Sequence, residues 1–201
     1  MNSTAPAPGP QAVRVVDGAR ACVARVGLAK TTLDDVAREA GCARATVYRC
    51  FPGKQALLAA LVAREAERLQ TDVVTAAAAT DTLGEAVTAV IATAAHALLT
   101  HDALAFVVAY EPELILPHLA FEREDAVLRT AATLVAPAFT RFLDPELATR
   151  LGEWIARLTL SYLCSPSDRV DLQNAAHVRR LVDDFVLPGF TRPLASEGKA
   201  R

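Results

Sequence analysis

The sequence predicts an all-α chain: an N-terminal three-helix head built on a helix-turn-helix, followed by a larger helical body. Three observations carry that prediction. Residues 31–58, TTLDDVAREAGCARATVYRCFPGKQALL, hold two short amphipathic patterns on either side of Gly41-Cys42. Beyond residue 58, apolar residues recur at spacings of three and four through most of the chain, the period of an amphipathic helix. The charge is also divided, with 9 Lys/Arg against 4 Asp/Glu in residues 1–64 and 12 against 19 in residues 65–201, although the whole chain of 201 residues carries only −2. With 52% hydrophobic residues and a mean hydropathy of +0.24, there is ample material for a buried core. The expected organisation is a disordered tail at 1–9, the head at 10–53, the body at 54–190 and a polar tail at 191–201.

Residues 1–9 are mostly Ala, Pro, Ser, Thr and Gly, a composition that cannot bury a core. A helix begins near Pro10, with Val15 or Val16, Ala19, Cys22, Val23 and Val26 facing inward and Arg14, Arg20 and Arg25 outward, and Gly27 ends it. Thr32 then stands where a hydroxyl caps the next helix, with Asp35 three residues on as its reciprocal partner. Leu33, Val36, Ala37 and Ala40 form the apolar stripe of that helix, and Gly41 supplies a left-handed exit. Arg44, Ala45, Thr46, Val47, Tyr48 and Arg49 make about one and a half turns of a second helix, anchored by Val47 and Phe51. Its other side chains point outward. Arg44 can fork onto guanine edges, Ala45 lets the backbone approach a groove or meet a thymine methyl, and Thr46 can donate to phosphate or base. Tyr48 and Arg49 offer phosphate contacts or further base readout. Lys54 follows the Pro52-Gly53 turn at the start of another helix, a place suited to a phosphate.

Singly, each of these residues reads as an ordinary surface threonine, solvated arginine or packing tyrosine; jointly, at this spacing, they do not. The segment resembles the DNA-binding domain of the tetracycline-repressor (TetR) family, whose pattern of Thr-Thr, Ile/Val-Ala, Ala-Gly-Val-Ser, Thr-hydrophobic-Tyr, Phe and Lys falls here on Thr31-Thr32, Val36-Ala37, Ala40-Gly41-Cys42-Ala43, Thr46-Val47-Tyr48, Phe51 and Lys54. Cys42 replaces the usual aliphatic residue conservatively. Ala43 replaces the usual serine and removes a side-chain cap from the recognition helix, a loss of about 1 kcal/mol of local stability. The resemblance covers roughly the first third of the chain. It implies duplex DNA as partner, with Thr32, Arg44, Ala45, Thr46, Tyr48, Arg49 and Lys54 as the contact residues. It also implies a body that binds a small molecule and dimerises, and a fourth helix that joins head to body.

That fourth helix starts at Lys54 and carries Leu57, Leu58, Leu61, Val62 and later Leu69. Thr82-Leu83-Gly84-Glu85 is a second capping box, opening a helix with Leu83, Val87, Val90, Ile91, Ala94 and Leu98 on one face and His96 opposite. After His101-Asp102, residues 103–110 contain no charge, so this short helix is expected to lie deep inside. Helix is expected to resume over 121–142 with a kink near Thr133 imposed by Pro137. Asp144-Pro145-Glu146 starts a helix carrying Leu147, Leu151, Trp154, Ile155, Leu158 and Tyr162. A last helix over about 171–187 carries Leu172, Ala175, Val178, Val182 and Phe185, and Pro188-Gly189 ends it. The two closing helices read as half of a four-helix bundle that a second copy completes, with Val178, Val182 and Phe185 at the interface.

No Ser-His-Asp arrangement, phosphate-cradling glycine loop, HExxH or Glu-x-x-His pair is present, so catalysis has little support and no cofactor or metal is expected. A metal ringed by Glu111, Glu113 and His118 would reopen the question. Cys22, Cys42, Cys50 and Cys164 form no CxxC pair and read as buried thiols, although Cys42 and Cys50 flank the recognition helix. With no run of eighteen apolar residues and no leader-like N-terminus, the cytoplasm is the expected compartment. The body is larger than a dimerisation device requires, and its inner helices offer few charges. An apolar, elongated small molecule is the expected ligand, walled by Ile91, Leu98, Phe106, Tyr110, Leu128 and Trp154, each of which reads more readily as core. Three functions are compatible with these residues: a homodimeric repressor released from a palindromic operator by a lipophilic effector; a constitutive or partner-controlled DNA-binding regulator without one; and a helical enzyme or interaction module that has lost DNA binding.

Overall fold

The computed structural model describes residues 9–111 and 126–191, and every regular element among them is helical. The helices are α1 (Pro10–Lys30), α2 (Leu33–Glu39), α3 (Arg44–Cys50), α4 (Lys54–Ala78), α5 (Leu83–Leu99), α6 (Asp102–Tyr110), α7 (Ala126–Val135), α8 (Pro145–Cys164), α9 (Ala175–Leu181) and α10 (Leu187–Thr191). They divide into two compact units. The described residues of Met1–Glu67 with Leu99–Glu122 form the first, and those of Arg68–Leu98 with Arg123–Arg201 the second. The division therefore runs through α4 and assigns α6 to the N-terminal helices, whereas the sequence reading places everything after residue 53 in one body.

The first unit is built on the residues expected of its head. Val15, Val16, Ala19 and Cys22 of α1 pack with Val36, Ala37, Val47, Leu57 and Leu61, burying one stripe from each of the first four helices. Val62 is not part of that stripe and is largely exposed. A smaller cluster joins Val23 of α1 to Ala103 and Val107 of α6. The uncharged run 103–110 of α6 is not deep: Ala103 and Val107 are buried, but Ala105 and Ala109 are exposed and Tyr110 is 72% exposed. One stripe on α1 satisfies this nine-residue helix, and its outer face carries the small side chains of Ala105 and Ala109 together with exposed Tyr110. His101 caps it, with Nδ1 accepting from the Leu104 amide at 3.1 Å.

The second unit packs α5, α7 and α8 with the closing helices around Val87, Val90, Ile91, Phe139, Leu151, Ile155, Val178 and Val182. Its start signals hold. Thr82 and Glu85 form the expected box, Thr82 accepting from the Glu85 amide at 3.3 Å and Glu85 accepting from the Thr82 amide at 3.1 Å. Asp144 accepts from the Leu147 amide at 2.9 Å.

Two proline readings are corrected. Pro137 does not kink a continuing helix: α7 ends at Val135, and Ala136–Phe139 forms a 3₁₀ turn, because a residue without N–H stops the α-ladder. The expected start of that helix, 121–125, lies outside the described residues. Pro188, by contrast, does not end the last helix, which starts at Ala175 under an Asn174 cap and continues to Thr191. A π-helical turn over Val182–Val186 brings the Leu187 amide to the Val182 carbonyl, so Pro188 opens a fresh turn in which its missing N–H is not needed. Gly152 lets α8 approach closely, since a Cβ there would lie 2.7 Å from the Ala132 carbonyl oxygen of α7.

Candidate nucleic-acid interface

The turn between α2 and α3 is fixed at both ends by chemistry legible in the sequence. Thr32 accepts from the Asp35 amide at 3.2 Å while the Asp35 carboxylate accepts from the Thr32 amide at 3.3 Å and from its hydroxyl. Hydrogen bonding from Thr32 holds the Asp35 carboxyl below its ordinary range. At the other end Gly41 takes φ +60, the Gly41 amide donates to Arg38 and the Cys42 amide to Ala37. Those two bonds are the pattern of a left-handed helix cap and consume carbonyls that would otherwise be orphaned. The chain then enters α3 with Ala43 at the cap and no side-chain hydrogen bond there.

In α3 only Val47 is buried. Arg44, Ala45, Tyr48 and Arg49 are exposed and Thr46 is half-buried, so a single anchor turns the rest of the helix outward. Arg44 is not a free charge. The Asp34 carboxylate spans its Nε at 2.9 Å and its Nη1 at 3.0 Å. Its Nη2 donates to the Tyr48 hydroxyl at 3.3 Å, with the guanidinium 5.4 Å from the Tyr48 ring centroid. Tyr48 and then Asp34 stabilise the charged form of Arg44. Arg49 donates to the Gln11 side chain at 3.1 Å. Lys54 Nζ donates to the Ala29 carbonyl at 3.0 Å, which places an ammonium at the start of α4 beside the end of α1.

Thr32, Arg44, Ala45, Thr46, Tyr48, Arg49 and Lys54 thus all lie on α2, α3, the start of α4 or the caps between them. Sequence reasoning missed Asp34, Gln11 and the Ala29 carbonyl, the groups that orient Arg44, Arg49 and Lys54. Asp34 was visible as a first-turn acid of α2, but its reach to Arg44 depends on the turn between them.

The residues proposed for a pocket are divided between the two units. Ile91 and Leu128 are buried in the second unit, Leu98 is half-buried there, and Trp154 is 40% exposed. Phe106 and Tyr110 belong to the first unit, their ring centroids 4.8 Å apart, beside an open groove of about 600 Å³ that Ala21, Ala24 and Arg25 also line. Of the interface residues, Val178 and Val182 are fully buried in their own unit and cannot meet a second chain, because the stripe read as a docking face is core; Phe185 is 69% exposed. Cys22 is buried, which pushes its thiol up, but Cys42 and Cys50 are half-buried and Cys164 is exposed. Glu111 is engaged with backbone amides, and Glu113 and His118 lie outside the described residues.

Comparison with known proteins agrees with this geometry. The family model for bacterial regulatory proteins of the tetR family matches residues 15–61, from the middle of α1 into α4. An uncharacterised helix-turn-helix transcriptional regulator of Mycobacterium tuberculosis, present in two strains, is 28% identical over 93% of this chain and 89% of its own. Among solved structures, the TetR family repressor AlkX from a Dietzia strain, implicated in biodegradation of n-alkanes, aligns with a TM-score of 0.66 at 17% identity over 96% of this chain and all of its own. The regulator FadR of Bacillus subtilis in complex with stearoyl-CoA aligns with a TM-score of 0.59 at 19% identity over 85% and 96% of the two chains. Residues 15–61 are thus similar to the tetR family of bacterial regulatory proteins, and the chain over most of its length is similar to a helix-turn-helix transcriptional regulator.

Proposed function

We propose that the protein is a homodimeric repressor that grips a palindromic operator with α3 of each protomer and leaves it when a lipophilic small molecule binds. The observation that carries this reading is the outward presentation of Arg44, Ala45, Thr46, Tyr48 and Arg49 above the single buried anchor Val47. Two such helices related by a twofold would enter major grooves about one turn, roughly 34 Å, or a multiple apart. The exposed aromatics Trp154 and Phe185 of the second unit support a second copy as partner; buried Val178 and Val182 would stiffen that surface from beneath. A lipophilic effector is supported by the uncharged interior of the second unit and by the stearoyl-CoA complex of the structurally similar FadR. Among the described residues no helix is long and apolar enough to cross a membrane, and the cytoplasm is where such a protein would meet its operator.

The test is to select duplexes from a random pool with the full-length protein and titrate the winner with long-chain acyl-CoA, free fatty acid and n-alkane. Release of the DNA by one of them, with affinity lowered by ~5- to 150-fold, is expected. A second reading, a constitutive or partner-controlled regulator, draws on the close packing of the second unit, where Ile91 and Leu128 are spent on the core. Tight binding unmoved by every lipophile would favour it.

A further inference from the structure

Gly27 interrupts α1 with φ +86 and ψ 171, a conformation essentially restricted to glycine. A Cβ at this position would lie 2.6 Å from Glu111 Oε1 and 2.7 Å from a ring carbon of Phe106. The helical turn that restarts at Leu28 has no upstream carbonyls for its first amides. Glu111 fills that role from the far end of α6: its carboxylate accepts from the Leu28 amide at 2.6 Å and from the Ala29 amide at 3.0 Å.

Glu111 is buried, only 8% exposed, and its carboxylate sits at the C-terminal end of α6, with the Leu28 and Ala29 amides as its partners. What it fixes is the path of residues 27–32. On that path the Thr31 hydroxyl donates to the Gly27 carbonyl at 2.6 Å, Thr32 caps α2, and the Ala29 carbonyl accepts from Lys54 Nζ at 3.0 Å. Amide and carbonyl of Ala29 thus connect Glu111 on one side to Lys54 on the other.

We propose that Glu111 is a positioning residue for DNA recognition: by capping the amides of Leu28 and Ala29 it fixes the segment that caps α2 and aims the Lys54 ammonium at a phosphate. Glu111 itself touches no DNA. The assignment rests on the DNA-binding reading and adds to it a residue 57 positions beyond Lys54, outside the segment 15–61 that the family model matches.

The test uses full-length protein and a duplex selected by the wild type, with binding measured across a salt series. Glu111→Ala is expected to weaken binding about tenfold, roughly the loss of one charge-assisted contact. It should lower the salt slope by about 1, as Lys54→Ala does when a phosphate contact is lost. The double variant should bind no more weakly than the weaker single one, since both break the same link. Glu111→Gln keeps one acceptor oxygen and the shape of the side chain, so it serves if Glu111→Ala does not fold; its affinity should fall between the two, and the Leu28 and Ala29 amides should exchange faster with solvent than in the wild type. Unchanged affinity, salt slope and amide exchange in Glu111→Gln overturn the assignment, as do multiplying effects of Glu111→Ala and Lys54→Ala. If the wild type selects no duplex at all, the DNA-binding reading falls and this assignment with it, whereas wild-type binding with indifferent variants removes the assignment alone.

Discussion

Arg44 is already engaged before any duplex arrives. Its contacts with Asp34 and Tyr48 hold the guanidinium over α3 instead of leaving it to sample solvent, which reduces the entropy lost when a planar fork meets guanine. Exposed pairs contribute little to stability, so the consequence lies in recognition. Asp34 also places a negative charge beside the surface proposed to face phosphates. Asp34→Ala is therefore expected to strengthen binding to random DNA while reducing the ratio of specific to non-specific affinity, read by competition with salmon-sperm DNA; a preserved ratio would show that Asp34 does not orient the reader. The neighbouring Asp35 gives a pH dependence. Its carboxyl is held below the ordinary 3.8 first by the Thr32 hydroxyl. A folded-state value depressed in this way contributes stability above the unfolded value and loses it as pH falls through the folded one. Melting temperatures of wild type and Asp35→Asn should accordingly differ at neutral pH and converge as pH drops below 3.8.

At the scale of elements, caps were the legible part. Thr32, Gly41, Thr82 and Asp144 each announced a helix boundary that the structure keeps, because a cap is a local event of three or four residues. The missing cap was legible too: α3 starts at Ala43 with no side-chain bond. Ala43→Ser is expected to stabilise the protein by about 0.5–2 kcal/mol in chemical denaturation; no gain would mean that a serine hydroxyl cannot reach an amide of the first turn. What could not be read was decided by distant neighbours. The uncharged run of α6 looks buried until the alanine-rich outer face and exposed Tyr110 are seen. Pro188 looks like a stop until a π turn upstream absorbs it. Glu111 meets amides more than eighty positions earlier in the chain, and no periodicity signals such a contact.

For the whole molecule, the division of charge points to the same segment that the family model matches, while the apolar stripe of the closing helix misled. A stripe at helical spacing marks whichever face is hidden, and in one chain Val178 and Val182 spend it on their own core. The surface proposed for a partner is instead marked by large apolar side chains left outside, Trp154 on α8 and Phe185 on the π turn. Trp154→Glu combined with Phe185→Glu should shift sedimentation from dimer to monomer without loss of helicity. DNA affinity should fall with it, because each monomer would hold only half an operator. A double variant that stays dimeric would move the interface elsewhere.

The claim that α3 reads duplex DNA is tested most directly by fluorescence anisotropy of the full-length protein on its own selected duplex, comparing wild type with Arg44→Ala and Tyr48→Ala. Each substitution is expected to cost about 1–3 kcal/mol, with Arg44→Ala also relaxing the preference at one base pair. Affinity and sequence preference unchanged in both variants would contradict it.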